Sequence, residues 1–252
     1  MENQTQLPAT EVKNEVAPVN NTGTALSNYK DRKGFEEEID TRDIRLPRAK
    51  LMQALSPEVV DQAHKSGVII NDLTGDVMPI EFVPIFKFTE YVKFNPRDKK
   101  DPNYDPAFEP GAILWKTVDS NDPRVAECEF GPNGEKPTAL KVLNFFCYFP
   151  EILMPAIISF SKTSYKAGKN LLSLCLLGGG AMFSRKYKLT AKQETGDAGT
   201  YFVFQVGAAG RVNEDDFKVC SSLYEQFRPK KIDVVYDEEH APNGAASSGR
   251  PY

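Results

Sequence analysis

Residues 80–94 alternate in character: Phe82, Pro84, Phe86, Phe88, Val92 and Phe94 share one parity, and Val83, Ile85, Lys87, Thr89, Tyr91 and Lys93 the other. Period-two alternation marks a β-strand, because successive side chains leave opposite faces. Here one face is apolar and the other is mixed basic and aromatic. A chain built around such a strand must supply other strands to pair with it and a core to cover its apolar side. Pro84 has no N–H to give to a ladder, so an edge position or a bulge is expected near it.

The remaining elements follow the same logic. Ser56-Pro57 opens a short helix through Lys65, which Gly67 stops. Strands are expected over 112–118, 127–130 and 139–149, with Gly131-Pro-Asn-Gly134 after the second of them as a turn that would connect a hairpin. A further strand, 156–160, leads into residues 163–177, where the period shifts to that of a helix ended by Gly178-Gly179-Gly180. Residues 182–192 and 200–206 alternate again around the turn Gly196-Asp-Ala-Gly199. Asn213 caps a last helix with an acidic first turn. Its face is Phe217, Cys220, Leu223, Tyr224 and Phe227, and Pro229 ends it.

Short strands with Gly-rich turns and few helices point to a mainly β fold, a small antiparallel barrel or sandwich. An OB-like barrel suits the order in which a helix separates the later strands, and other all-β arrangements fit as well. Residues 1–45 and 230–252 are polar, lack either period, and are expected to be a disordered arm and a flexible, partly acidic tail. One domain over 46–229 is expected between them.

The N-terminus shows no basic, apolar and small-residue signal pattern, and no apolar run reaches the ~20 residues of a membrane span. The expected setting is cytoplasmic, without membrane contact. Cys147, Cys175 and Cys220 sit in apolar segments, and they and Cys128 are too far apart in sequence for a paired-cysteine metal motif. His64 and His240 are remote from them, so no metal or other cofactor is expected. Lys162-Thr-Ser-Tyr-Lys-Ala-Gly168-Lys169-Asn170 imitates a phosphate loop, but Thr163 stands where the first Gly belongs and Asn170 where Ser or Thr belongs. Neither histidine is placed to serve a nucleophile, and no enzymatic activity is expected.

Net charge is −4, which by itself argues against nucleic acid, yet the charge is unevenly distributed. From Lys141 to Lys192 there are eight basic residues against the single acid Glu151. Strand alternation puts Lys186, Lys188, Thr190 and Lys192 on one face. Lys87, Tyr91 and Lys93 share another, Lys162, Lys166 and Lys169 cluster at a helix start, and Tyr201 has the parity opposite to Phe202 and Phe204. Binders of single strands pair a positive groove with aromatic rings on which bases stack. The same lysines are also what any half-exposed or edge strand carries, and strand aromatics commonly belong to a core.

The run Leu46-Pro-Arg-Ala-Lys-Leu-Met-Gln-Ala-Leu-Ser-Pro-Glu58 with Leu73-Thr-Gly-Asp-Val77 resembles uncharacterised bacteriophage proteins. The stretch from Ser161 to Leu172 and on to Tyr201-Phe-Val-Phe204 is similar to phage single-stranded DNA-binding proteins of the OB-fold class. The resemblance implies an accessory protein of DNA replication or recombination that coats single-stranded DNA and recruits replication or recombination proteins through its C-terminal tail. Asp237-Glu-Glu239 and Tyr252 would stand for that tail, although Gly-Arg-Pro-Tyr252 is less acidic than such tails are. The contacts it implies are Lys87, Tyr91, Lys93, Lys162, Lys166, Lys169, Lys186, Lys188, Lys192 and Tyr201. The rival expectation is a virion structural or assembly protein that works through protein contacts.

Overall fold

The computed structural model describes residues 45–196, 199–230 and 232–236. Apart from Arg45, the expected N-terminal arm lies outside the described residues, as do Asp237-Glu-Glu239, His240 and Tyr252 of the expected tail. The described residues form a mainly β fold whose named strands all pair antiparallel. In chain order they are β1 (Ala49–Leu51), α1 (Pro57–Val60), β2 (Ile69–Asn71), β3 (Glu81–Phe94), β4 (Ile113–Thr117), β5 (Leu140–Phe149), β6 (Met154–Phe160), α2 (Tyr165–Gly178), β7 (Arg185–Gly196), β8 (Gly199–Arg211) and α3 (Glu214–Phe227). No described helix is long and apolar enough to cross a membrane.

β3 organises the main sheet, in the order β6-β5-β3-β7-β8 with β4 also on β3. One edge of β3 pairs with β5 from Val83↔Tyr148 to Val92↔Leu140. The other edge is shared, with β7 taking Glu81 and Phe82 and β4 taking Tyr91 to Phe94. Pro84 sits between these two partners, beside a register shift between Pro84 and Phe86. The bulge foreseen at Pro84 is therefore present, and although β3 is central in the sheet, Pro84 lies in a stretch of it that is paired on one side only among the described residues. The shift also divides the apolar parity. Phe82 enters one core, while Phe86, Val92 and Phe94 enter the other.

The cores lie on opposite faces. On one, Phe145, Phe149, Ile158 and Phe160 pack under Leu171 and Cys175 of α2 and against Tyr187, Leu189 and Phe204 of the β7–β8 hairpin. Gly168 lets α2 approach this closely, since a Cβ there would lie 2.7 Å from the Phe160 Cβ. On the other face, Phe86, Phe146 and Tyr148 pack against Cys220, Leu223 and Phe227 of α3. Each fully buried side chain of this size stabilises by roughly 1.5–3 kcal/mol.

The sheet curls but does not close into the small OB-like barrel expected from sequence, for β6 and β8 end the strand order without pairing. The segment after Arg45 spans the gap. Pro47 accepts from the Ile157 N–H at 2.8 Å on the β6 side. On the β8 side the Gln53 amide donates to the Phe202 carbonyl and accepts from its N–H, both at 2.9 Å, so one side chain substitutes for a strand backbone.

Three local expectations are corrected. Residues 127–130 are not a strand: Asp122 caps a 3-10 turn, Pro123–Cys128, by accepting from the Arg124 N–H. The helix expected through Lys65 stops at Val60, and Gln62 takes a left-handed φ of 60°. The fold also continues past Pro229, because Ile232, Val234 and Tyr236 alternate onto the α3 face and the last two are buried.

Candidate functional site

Cross-strand neighbours in an antiparallel ladder share a face. Lys87 lies opposite Phe145, and Tyr91 lies between Lys141 on β5 and Thr117 on β4. Lys93 lies opposite Trp115. Because Phe145 belongs to the core under α2, these residues line that same face, on the part nearer the β4 end of the sheet. β6 ends at Phe160, whose ladder partner is Leu143, so Lys162 leaves the sheet beside the Lys141 end of β5.

Positive charge concentrates here. Burial, and then the neighbouring Lys141 charge, push the Lys87 ammonium below its usual pKa. Burial, and then Arg97, bring Lys162 down to about 8. Neither Lys87 nor Lys141 has an ion-pair partner among the described residues. Lys141 instead places its Nζ 5.7 Å from the Tyr91 ring centroid. Lys93 is paired with Glu127 at 2.7 Å, and Glu127 also accepts from the Thr138 hydroxyl at 3.0 Å.

Beside these cations lies an aromatic platform. The Arg124 guanidinium carbon sits 5.2 Å from the Trp115 ring centroid. Asp122 grips it from the edge, accepting from Nε at 3.0 Å and Nη2 at 2.6 Å. Those bonds hold the Asp122 carboxyl down at about 2.

The other sequence-predicted residues lie elsewhere. Lys166 and Lys169 are exposed on α2. Lys186 is paired with Glu81 at 3.1 Å and Lys192 with Glu194 at 3.0 Å, so two members of the expected β7 stripe are already partnered. Lys188 is exposed and lines an open cavity of about 430 Å³ with Ile80, Glu81 and Glu151. Tyr201 is half-buried on β8, opposite Glu194. Tyr91 is buried and lies beneath Lys141, so its ring has no open face for a base.

Sequence reasoning selected Lys87 and Lys93 for a face on which Lys141 and Trp115 proved equally placed. Lys141 was visible only in the charge ratio, and Trp115 only as the single tryptophan of the chain. The cysteines are unpaired thiols, and burial pushes Cys128 up to about 11 and Cys220 to about 12. They remain protonated at neutral pH and act as packing groups.

The family model of the Pam3 phage gp34-like protein matches residues 17–233. No curated protein and no solved structure matches the chain.

Proposed function

Since the chain belongs to the family of Pam3 phage gp34-like proteins, we propose that it is a phage accessory protein that binds single-stranded DNA without catalysing a reaction. The phosphate backbone contacts Lys87, Lys141 and Lys162 on the face that α2 partly covers. The observation that carries this reading is the Lys87–Lys141 pair. Two half-buried ammonium groups on one sheet face that repel each other, with no ion-pair carboxylate among the described residues, raise the energy of the empty protein. A phosphate anion relieves that repulsion, and each one neutralised releases counterions from the strand. A single strand suits the site because the surface is a curved sheet face with aromatic residues, not a helix or ribbon shaped for the duplex major groove. A role in phage replication or recombination follows from the ligand, with partner proteins recruited by the acidic run Asp237-Glu-Glu239.

The test is fluorescence anisotropy of a labelled ~30-nucleotide strand, longer than the ~4–16 nucleotides one such surface covers. Binding should survive duplex competitor and weaken with salt, log K falling by about 0.7 per phosphate for each decade of salt. No binding at low salt, or binding indifferent to salt, defeats the reading. A virion assembly role is favoured by a different observation, the outward-facing Leu176 and Leu177 at the end of α2, 72% and 87% exposed. Self-association into large particles, lost on changing both to Ser, would support that role instead.

A further inference from the structure

Arg124, like Lys93, is a cation of this surface whose charge is already neutralised, but the manner of its neutralisation leaves the plane of its guanidinium unobstructed by the carboxylate. Asp122 engages Nε and Nη2, both edge atoms of the guanidinium. Asp122 is itself fixed, because it caps the turn Pro123–Cys128 by accepting from the Arg124 N–H at 3.0 Å. The guanidinium carbon lies over the Trp115 ring, 5.2 Å from its centroid, and the side chain remains 49% exposed. An arginine held this way adds little net charge for a phosphate and presents an ordered planar surface. Its position matches such a use. Trp115 lies opposite Lys93 on β4, two strands from Lys141 and so roughly 10 Å away by the ordinary strand spacing.

We propose that Arg124, backed by Trp115 and oriented by Asp122, is the base-stacking position of this protein, taking the π-face of a nucleobase whose phosphates lie on the neighbouring lysines. The inference rests on the single-strand reading above and gives the site the planar stacking partner that Tyr91, covered by Lys141, does not supply. Stacking on a planar side chain is tolerant of base identity, because every base has a π-face. The platform therefore adds affinity without sequence preference, and its contribution is insensitive to salt.

Trp115 is the only tryptophan, so its emission reports on this position alone. Full-length protein is titrated with a labelled ~12-nucleotide oligothymidylate, within the length one surface covers, and with an abasic strand of the same length. Oligothymidylate should change Trp115 emission in step with anisotropy, and the abasic strand should bind more weakly and leave the emission unchanged. Arg124→Lys keeps the charge and removes the plane. It should lose about 5- to 150-fold in affinity for oligothymidylate with the salt slope unaltered. Binding without an emission change, equal emission changes from both strands, or Arg124→Lys at wild-type affinity overturns the stacking position and leaves the lysine reading standing. Absence of anisotropy change with either strand removes that reading, and this inference falls with it.

Discussion

On the α3 face of the β3–β5 ladder, Glu90 is 1% exposed and its polar neighbours all turn toward it. Tyr236 donates its hydroxyl at 2.5 Å, Asn144 donates at 2.6 Å, and the Lys116 ammonium stands 3.8 Å away. The Ser159 hydroxyl in turn orients Asn144 by donating to its Oδ1 at 2.7 Å. Three residues along the same strand, on the α2 face, Lys87 is half-buried, feels the Lys141 charge, and has no ion-pair carboxylate among the described residues. A buried polar group costs free energy unless partnered, so an architectural one is found with its partners in place. The α3 face follows that rule, tying the final segment 232–236 to the sheet. The α2 face departs from it at Lys87 and Lys141, and the proposed anion-binding role rests on that departure within the same two strands.

The comparison breaks most visibly on the α3 side. Glu90→Ala leaves the Tyr236 hydroxyl without its buried acceptor and the Asn144 amide with only the Tyr236 oxygen, and should cost up to about 3 kcal/mol, the range for orphaning a buried donor. Urea denaturation measures it, and DNA affinity of the folded variant should be unchanged. A cost under about 1 kcal/mol would mean that water substitutes for the carboxylate and that the two faces do not differ in kind. The α2 side should respond with the opposite sign. Lys87→Gln with Lys141→Gln removes mutual repulsion, so thermal stability should hold or rise. Each charge-assisted phosphate bond is worth ~1.5–3 kcal/mol, so single-strand affinity should fall about 100-fold or more. Lower stability with intact binding would make these lysines part of the architecture.

How far this contrast was legible in the sequence depends on the range of the interaction. β3, β5, β7 and β8 followed from alternation, and α3 from Asn213, whose side chain does accept from the Asp216 N–H at 2.7 Å. Lys87 and Lys93 were assigned a common face because parity survives any tertiary context beyond the bulge. Parity does not say what lies over a face, so Tyr91 passed for a stacking residue until Lys141, 50 positions later in the chain, was seen above its ring. Trp115 and Arg124 become part of the surface only through the β3–β4 register. The alternation at 127–130 spans too few residues to outweigh the Asp122-Pro123 turn chemistry before it. Glu90, an acid on an otherwise apolar parity, was passed over in the sequence, although it is the one local sign of the buried network. Its partner Tyr236 lay beyond the proline taken as the end of the domain.

The smallest expected effect tests the α2 face through protonation. Burial and Arg97 lower the Lys162 pKa to about 8 in the folded chain, against about 10.4 for a free lysine. A depressed folded pKa means that folding disfavours the charged form. The stability this group contributes is complete above the unfolded value and is lost as pH falls through about 8. Phosphate needs the charged form. Single-strand affinity should therefore decline as pH rises through about 8, while lysines with ordinary values stay charged. Each pH unit above that midpoint should remove up to about tenfold of whatever Lys162 contributes, until its contribution is exhausted. Lys162→Gln should bind more weakly at pH 7 and lack the decline centred near pH 8. Anisotropy titrations at half-unit steps give both curves. Parallel curves for the two proteins would place Lys162 outside the phosphate path and confine the anion-binding surface to Lys87 and Lys141, on the sheet itself.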